Sequence, residues 1–387
     1  MASGTRITIW IAALLTLVAC SKEYPEAETG SAQGNVRLEL TLDTREAEVS
    51  AIGNEAYIVP GDIYVFLFEQ KEGQWVYYDR MSSPTLTDDG DGKGHRYTLT
   101  GTIYASQAID LSQFRFVVLA NLFGGCPLSE SSSLYPAPGT GLQAFYDRLV
   151  YNYGEQPQEN FTDHVMTGAH DPARIPMWGV ATPGNITPTD EKTYSLGSVN
   201  MLRAMAKIEV RMGESLKKKY KLLNVELMHC QTSGMMTPKD ADKFYNTPEV
   251  TGKEELIEVN IPKDGTDFST LAIRFYEPEN EQGVFYLICP ELSKGEETDD
   301  SQDTHTSRPH MHVRIESLDT EAGIGTFPLF FAEQKRETDV NNHTVTRLTP
   351  FDVLRNHHYV FTITAVESGL QYDVEQWEDR ESNIEFN

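Results

Sequence analysis

Apolar and polar positions alternate strictly from Asn35 onward. Val36, Leu38, Leu40 and Leu42 fall on one side and Arg37, Glu39, Thr41 and Asp43 on the other, the pattern of a half-buried strand over residues 36–43. Residues 63–68, Ile-Tyr-Val-Phe-Leu-Phe, are apolar on both sides, which predicts a central strand covered on both faces. Residues 75–78 follow Lys71-Glu72-Gly73 at hairpin spacing, and residues 97–104 and 114–120 supply two more strands. Leu142, Phe145, Tyr146, Leu149 and Val150 instead fall at helical spacing behind Thr140, which reads as an N-cap, so one short helix is expected there. Near Asn200 the alternation restarts. Leu202, Ala204, Ala206, Ile208, Val210 and Met212 predict one long strand, with Arg203, Met205, Lys207, Glu209 and Arg211 on its other side. Further strands are expected at residues 222–228, 256–261, 271–276, 284–289, 311–315, 327–331 and 359–366. The connections are rich in Ser, Pro, Gly and Asp, as at residues 124–139 and in the acidic stretch 295–307. Many short strands with turns between them and a minor helix mean an all-β chain of β-sandwiches. The polar, turn-rich stretch 183–198 divides it into an N-terminal domain, residues 36–199, and a C-terminal domain, residues 200–387.

Ahead of the first strand the pattern changes. Arg6 precedes an apolar run that ends in Leu17-Val18-Ala19-Cys20. Such a run ending in small residues at a cysteine reads as a bacterial lipoprotein signal peptide, residues 1–19, removed before Cys20. It is too short for a spanning helix, which needs about 20 apolar residues. The thiol and new amino group of Cys20 then receive acyl chains such as palmitate, and residues 20–35 form a polar tether.

Composition narrows the partners. The 387 residues hold 32 Lys and Arg against 58 Asp and Glu, a formal charge of -26. That excess repels phosphate backbones and anionic headgroups, which argues against nucleic acid and against polybasic docking on membranes. Beyond Cys20 only Cys126, Cys230 and Cys289 remain, so at most one disulfide is available and buried thiols are the simpler reading.

No catalytic signature is present: no Gly-x-Ser-x-Gly, His-Glu-x-x-His, phosphate loop or Cys-x-x-Cys. The Asp88-Asp89-Gly90-Asp91-Gly92-Lys93-Gly94 run places Lys93 and Thr100 where a calcium loop needs carboxylates, so it reads as a turn between strands. His310 and His312 share a strand face with Arg314, opposite Met311, Val313 and Ile315, and read as a solvated face rather than a metal site. His357 and His358 point to opposite faces of their strand. Asn160, Asn185 and Asn342 open glycosylation sequons that a bacterial lipoprotein does not use. The expectation is a non-enzymatic chain with no metal and no cofactor.

Four local patterns, taken in order, resemble a known family. They are Phe116-Val-Val-Leu-Ala-Asn121, Ile175-Pro-Met-Trp-Gly179, Arg203-Ala-Met-Ala-Lys-Ile208 and Leu354-Arg-Asn-His-His-Tyr-Val-Phe-Thr-Ile363. Together with the lipoprotein signal and the terminal Tyr372-Asp-Val-Glu-Gln-Trp377, they are similar to the FimA-like fimbrillins of Bacteroidales, lipoprotein-derived pilus subunits. The resemblance covers the chain from Cys20 to its end. It implies two transthyretin-like β-sandwich domains and an outer-membrane lipoprotein precursor that travels through the periplasm. A trypsin-like protease then cuts behind the first strand, and the C-terminal segment of the next subunit fills the groove left by that strand.

On these residues, the removable strand carries Val36, Leu38, Leu40 and Leu42, and Arg45 in Thr44-Arg45-Glu46 is the processing site. Arg37, inside the strand, is the runner-up. The donor would be the alternating segment with Leu370, Tyr372, Val374 and Trp377, followed by Ile384 and Phe386. From alternation alone it reads equally well as an ordinary strand on its own domain. The implied partners are other fimbrial subunits in a head-to-tail polymer, the outer membrane through lipid at Cys20, and an adhesive ligand on a host or bacterial surface. Two alternatives stand beside this reading. One is a non-polymerising surface lipoprotein that binds glycans or host proteins, with Trp75, Trp178 and Trp377 as its aromatic candidates. The other is an anchor subunit that keeps its lipid.

Overall fold

A computed structural model describes residues 31–43, 57–88, 96–122, 134–153, 175–181, 193–231, 233–244, 258–262, 273–274, 283–294, 308–319, 323–338, 344–367 and 369–378. The signal peptide, Cys20, Arg45, residues 89–95, Cys126, the three sequon asparagines, Ile384 and Phe386 lie outside these. Among the described residues no helix is long and apolar enough to cross a membrane.

The chain is all-β. Its first half runs β1 (Ser31–Asp43), β2 (Ile63–Lys71), β3 (Gln74–Arg80), β4 (Ser82–Asp88), β5 (Arg96–Asp110), β6 (Phe114–Ala120), α1 (Leu142–Tyr146), β7 (Val150–Asn152), β8 (Met177–Ala181), β9 (Thr193–Asn200) and β10 (Leu202–Arg203). Two sheets result, ordered β4-β5-β1-β9 and β10-β8-β6-β2-β3. They face each other over a core that includes Leu38, Leu40 and Leu42 of β1 and Val65, Leu67, Phe116 and Val118 of β2 and β6. The other face of β2 is buried as well: Phe66 and Phe68 pack on Phe145 of α1, ring centroids 5.0 and 5.4 Å away. Burial from both sides explains the unbroken apolar run of β2. Glu72 and Gly73 take φ of 51° and 80°, the paired left-handed geometry of a tight hairpin turn between β2 and β3.

Five local expectations are corrected. The first strand begins at Ser31, inside the stretch read as tether, because β5 is long enough to pair with it from Ser31↔Asp110 onward. Gly141, not Thr140, caps α1, while the Thr140 hydroxyl donates to the Ala137 carbonyl at 2.7 Å. Residues 193–198, read as a polar connection, lie within β9. The long strand expected at residues 202–212 is two strands in two different sheets, because Ala204 N–H turns to the Pro176 carbonyl and Met205 O to Asn356 N–H. Asn260 is not in a strand: its N–H donates to Glu291 and its side-chain amide to the Thr237 carbonyl.

The second half comprises β11 (Ala206–Met212), β12 (Tyr220–Met228), β13 (Ser233–Met235), β14 (Ile273–Arg274), β15 (Val284–Cys289), β16 (His310–Ser317), β17 (Ile324–Phe330), β18 (Ala332–Thr338), β19 (Thr344–Pro350), β20 (His357–Val366) and β21 (Leu370–Glu378). The sheets β15-β11-β20-β21 and β14-β12-β16-β17 enclose Ile208, Val210, Phe361 and Ile363 against Val225, Leu227, Met311 and Val313. β18 and β19 pair as a separate ribbon.

The two halves repeat one topology. β1 lies between β5, antiparallel, and β9, parallel; β11 lies between β15, antiparallel, and β20, parallel. In each sandwich, then, the opening strand is central in its sheet and its last partner returns alongside it. The sheets differ in where the fourth strand is added: β4 lies outside β5 in the first, and β21 lies outside β20 in the second.

The halves are joined firmly. β7 pairs with β13, Tyr151 donates to the Ala204 carbonyl and Tyr153 to the Ile288 carbonyl, each through its hydroxyl. Within the second half, behind β13, Arg355 is wholly buried, donates to the Met235 and Met236 carbonyls and pairs with buried Glu291 at 2.6 Å. Arg355→Met would leave the Glu291 carboxylate buried without its cation. The expected loss is about 3–5 kcal/mol in urea unfolding, partly recovered by adding Glu291→Gln because the two sites are coupled. Within the first half the two sheets approach closely at Gly179 in β8, where an added Cβ would sit 2.6 Å from Val199 Cγ1 and 2.7 Å from the Asn200 carbonyl oxygen of β9. Gly179→Ala is therefore expected to cost about 1–3 kcal/mol, read as a lowered urea midpoint.

Candidate strand-exchange site

The alternation of β1 places one complete row of side chains in the core. Val36 is 1% exposed and Leu38, Leu40 and Leu42 are 0% exposed, while Asn35 and Arg37 face solvent. Both edges of the strand are used. Residues Val36 to Asp43 pair one-for-one with β5, and Arg37, Leu38, Glu39, Thr41, Leu42 and Asp43 pair with β9, with a register shift between Glu39 and Thr41. That shift coincides with Gly197, whose φ of 81° lets β9 bulge. Taking β1 away would leave a slot with an apolar floor and two facing rows of unpaired N–H and C=O groups, which is the shape a strand fills. Arg37 is held in register on both sides, opposite Thr102 and Thr193, so a protease cannot bind its backbone in extended form.

The C-terminal segment is placed differently from β1. β21 pairs antiparallel with β20 at the sheet edge, from Val366↔Leu370 to His357↔Glu378. Leu370 and Tyr372 are buried in the C-terminal core, and Val374 is half-buried against it. The Tyr372 hydroxyl donates to the Phe330 carbonyl at 2.8 Å, and burial, the largest influence, raises the phenol above its ordinary pKa. On its outer edge β21 meets Gln334 of β18, whose side-chain amide donates to the Leu370 carbonyl at 3.2 Å and accepts from Tyr372 N–H at 3.1 Å. One carboxamide thus stands in for a neighbouring strand. Trp377 pairs with His358 by backbone register.

The remaining sequence candidates fall into place. Trp178 is fully buried, and Trp75 is half-buried with the Arg115 guanidinium over its ring at 4.3 Å, so neither offers a free stacking face. Cys230 and Cys289 are buried thiols; burial pushes Cys230 up to about 12 and Cys289 well above the ordinary range. Asp88 ends β4 and Arg96 begins β5, its antiparallel partner, with the Gly-Asp run between them. His310 is not solvated as expected: it is 1% exposed, packed among the rings of His229, His312 and Phe330. Among the described residues no group of three or more His, Cys, Asp or Glu side chains is placed to hold a metal ion.

Two parts of the site escaped the sequence. β9 could have been found from Tyr194, Leu196 and Val199 only by allowing an extra residue at Gly197. Nothing in the pattern points to Gln334.

No family model and no curated protein matches the chain. Among solved structures it is similar to the tip fimbrial protein Mfa3 from Porphyromonas gingivalis with C-terminal truncation, at TM-score 0.48 and 14% identity over 89% of this chain and 100% of that one. It is similar to a fimbrial assembly protein from Parabacteroides distasonis, at TM-score 0.43 and 14% identity over 90% and 97%. A fimbrilin (fimA) from Porphyromonas gingivalis gives TM-score 0.43 and 14% identity over 89% and 97%.

Proposed function

We propose that the chain is a structural subunit of a cell-surface fimbria, not an enzyme. It is exported as a lipoprotein acylated at Cys20, cut after Arg45, and polymerised head-to-tail by strand exchange. The observation that carries this reading is the position of β1. It is the first strand among the described residues, it fills the middle of a sheet, and it ends at Asp43, two residues before Arg45. A strand so placed protects the sandwich until it is removed, and its removal creates an acceptor slot. The donor is the C-terminal segment with Leu370, Tyr372, Val374 and Trp377, which must leave β20 and Gln334 to reach a neighbour. Each junction is head-to-tail, so the product is an open filament. The local sequence motifs named above and the lipoprotein signal support the same reading.

The test is the N-terminal residue of the protein recovered from surface filaments. Glu46 agrees with the proposal, whereas Cys20 on filament-borne protein contradicts processing. Cys20→Ala should abolish palmitate incorporation and strand the precursor before the surface; equal labelling of mutant and parent would remove the lipoprotein step.

A further inference from the structure

His310 and His312 are two residues apart in β16 and so share its outer face. Their Nε2 atoms are 3.2 Å apart, and His310 Nδ1 lies 2.8 Å from the Arg308 carbonyl oxygen. A carbonyl oxygen only accepts, so His310 carries its hydrogen on Nδ1 and presents a lone pair at Nε2. In the metal-free protein His312 therefore donates its Nε2 hydrogen to that lone pair.

We propose that His310 and His312 form a binding site for one zinc-like divalent cation, held through both Nε2 atoms. The spacing is the first argument. Tetrahedral coordination with Zn–N near 2.0–2.1 Å needs two nitrogens about 3.3–3.4 Å apart. A square-planar site with similar bonds needs about 2.8–2.9 Å. The observed 3.2 Å lies closer to the tetrahedral bite, so the side chains need little movement. The second argument is support. A ligating imidazole commonly donates its other N–H to a backbone carbonyl, which fixes its tautomer and aim, and the Arg308 carbonyl already does this for His310.

The local surroundings keep the ligand ready. The rings of His229 and Phe330 stand 5.6 and 5.8 Å from that of His310 and restrict its rotation. Binding asks for one proton shift, on His312 from Nε2 to Nδ1, with no change in net charge. The half-exposed side of His312 leaves the other coordination positions open to water.

The experiment uses the intact chain labelled with 15N-histidine and titrated with zinc chloride. The expected result is one saturable site, with Nε2 of two imidazoles shifting and Nδ1 of His310 remaining protonated. His312→Gln should keep the melting temperature and weaken zinc binding by about tenfold or more. Absence of a saturable site, loss of the His310 Nδ1 proton on binding, or unchanged affinity in a folded His312→Gln variant would each overturn the proposal. Should that variant fail to fold, the nitrogen shifts of the unmodified chain decide the matter.

Discussion

A chain lacking residues 31–43 is expected to lose its N-terminal sandwich and to regain it when a peptide of that sequence is supplied. The four inward side chains of β1 are all but fully buried, and each contributes about 1.5–3 kcal/mol on burial. Together they contribute about 6–12 kcal/mol, comparable to the whole stability of an ordinary domain. Backbone pairing adds to this, since both β5 and β9 would be left with open edges. The deleted chain should therefore bind hydrophobic dye, lose near-ultraviolet dichroism and aggregate, and added peptide should reverse all three. Leu40→Asp, which places a charge at the centre of the same row, should have a similar effect at single-residue scale. A deleted chain that stays monomeric and keeps its near-ultraviolet signal would show that β1 is dispensable, and the proposed acceptor slot would go with it.

Why β1 was visible in the sequence and its parallel partner was not is a matter of pattern and bulge. Residues 36–43 alternate without a break because one face meets the opposing sheet and the other meets water. β9 does the same work on one edge, but Gly197 interrupts its period, so Tyr194 and Leu196 fall out of phase with Val199. The opposite failure occurred at residues 202–212. Their alternation is continuous, yet the chain crosses from one sheet to another at Ala204 and Met205, and alternation records facing, not partners. The β18–β19 ribbon left no signal at all, since Glu333, Lys335, Arg336 and Arg347 give it no apolar side to find. His310 was misplaced for a related reason. Period-two reasoning puts it opposite the core correctly, but it cannot show that Phe330 and His229 cover that outer face.

Removing residues 369–387 is expected to destabilise the C-terminal sandwich, not to leave it untouched as a free donor would. Leu370 and Tyr372 are buried, and Tyr372 also ties β21 to Phe330 and Gln334. Truncating a buried leucine costs about 2–5 kcal/mol and a buried aromatic about 3–5, so the pair is worth about 5 kcal/mol or more. For a sandwich of this size each kcal/mol moves the melting temperature by about 2–4 °C, so a fall of about 10–20 °C should appear by calorimetry. An unchanged melting temperature together with lost polymerisation would mean that β21 is not held by its own domain in solution. The docked strand would make the proposed exchange conditional. Leaving β20 costs the energy just counted, and while β1 is in place no vacant slot offsets it. Once β1 has been cut away, the slot between β5 and β9 has lost about 6–12 kcal/mol of burial that an incoming strand with apolar residues at alternate positions can restore. Cleavage would thereby decide when subunits join, with β1 guarding the acceptor and Gln334 holding the donor.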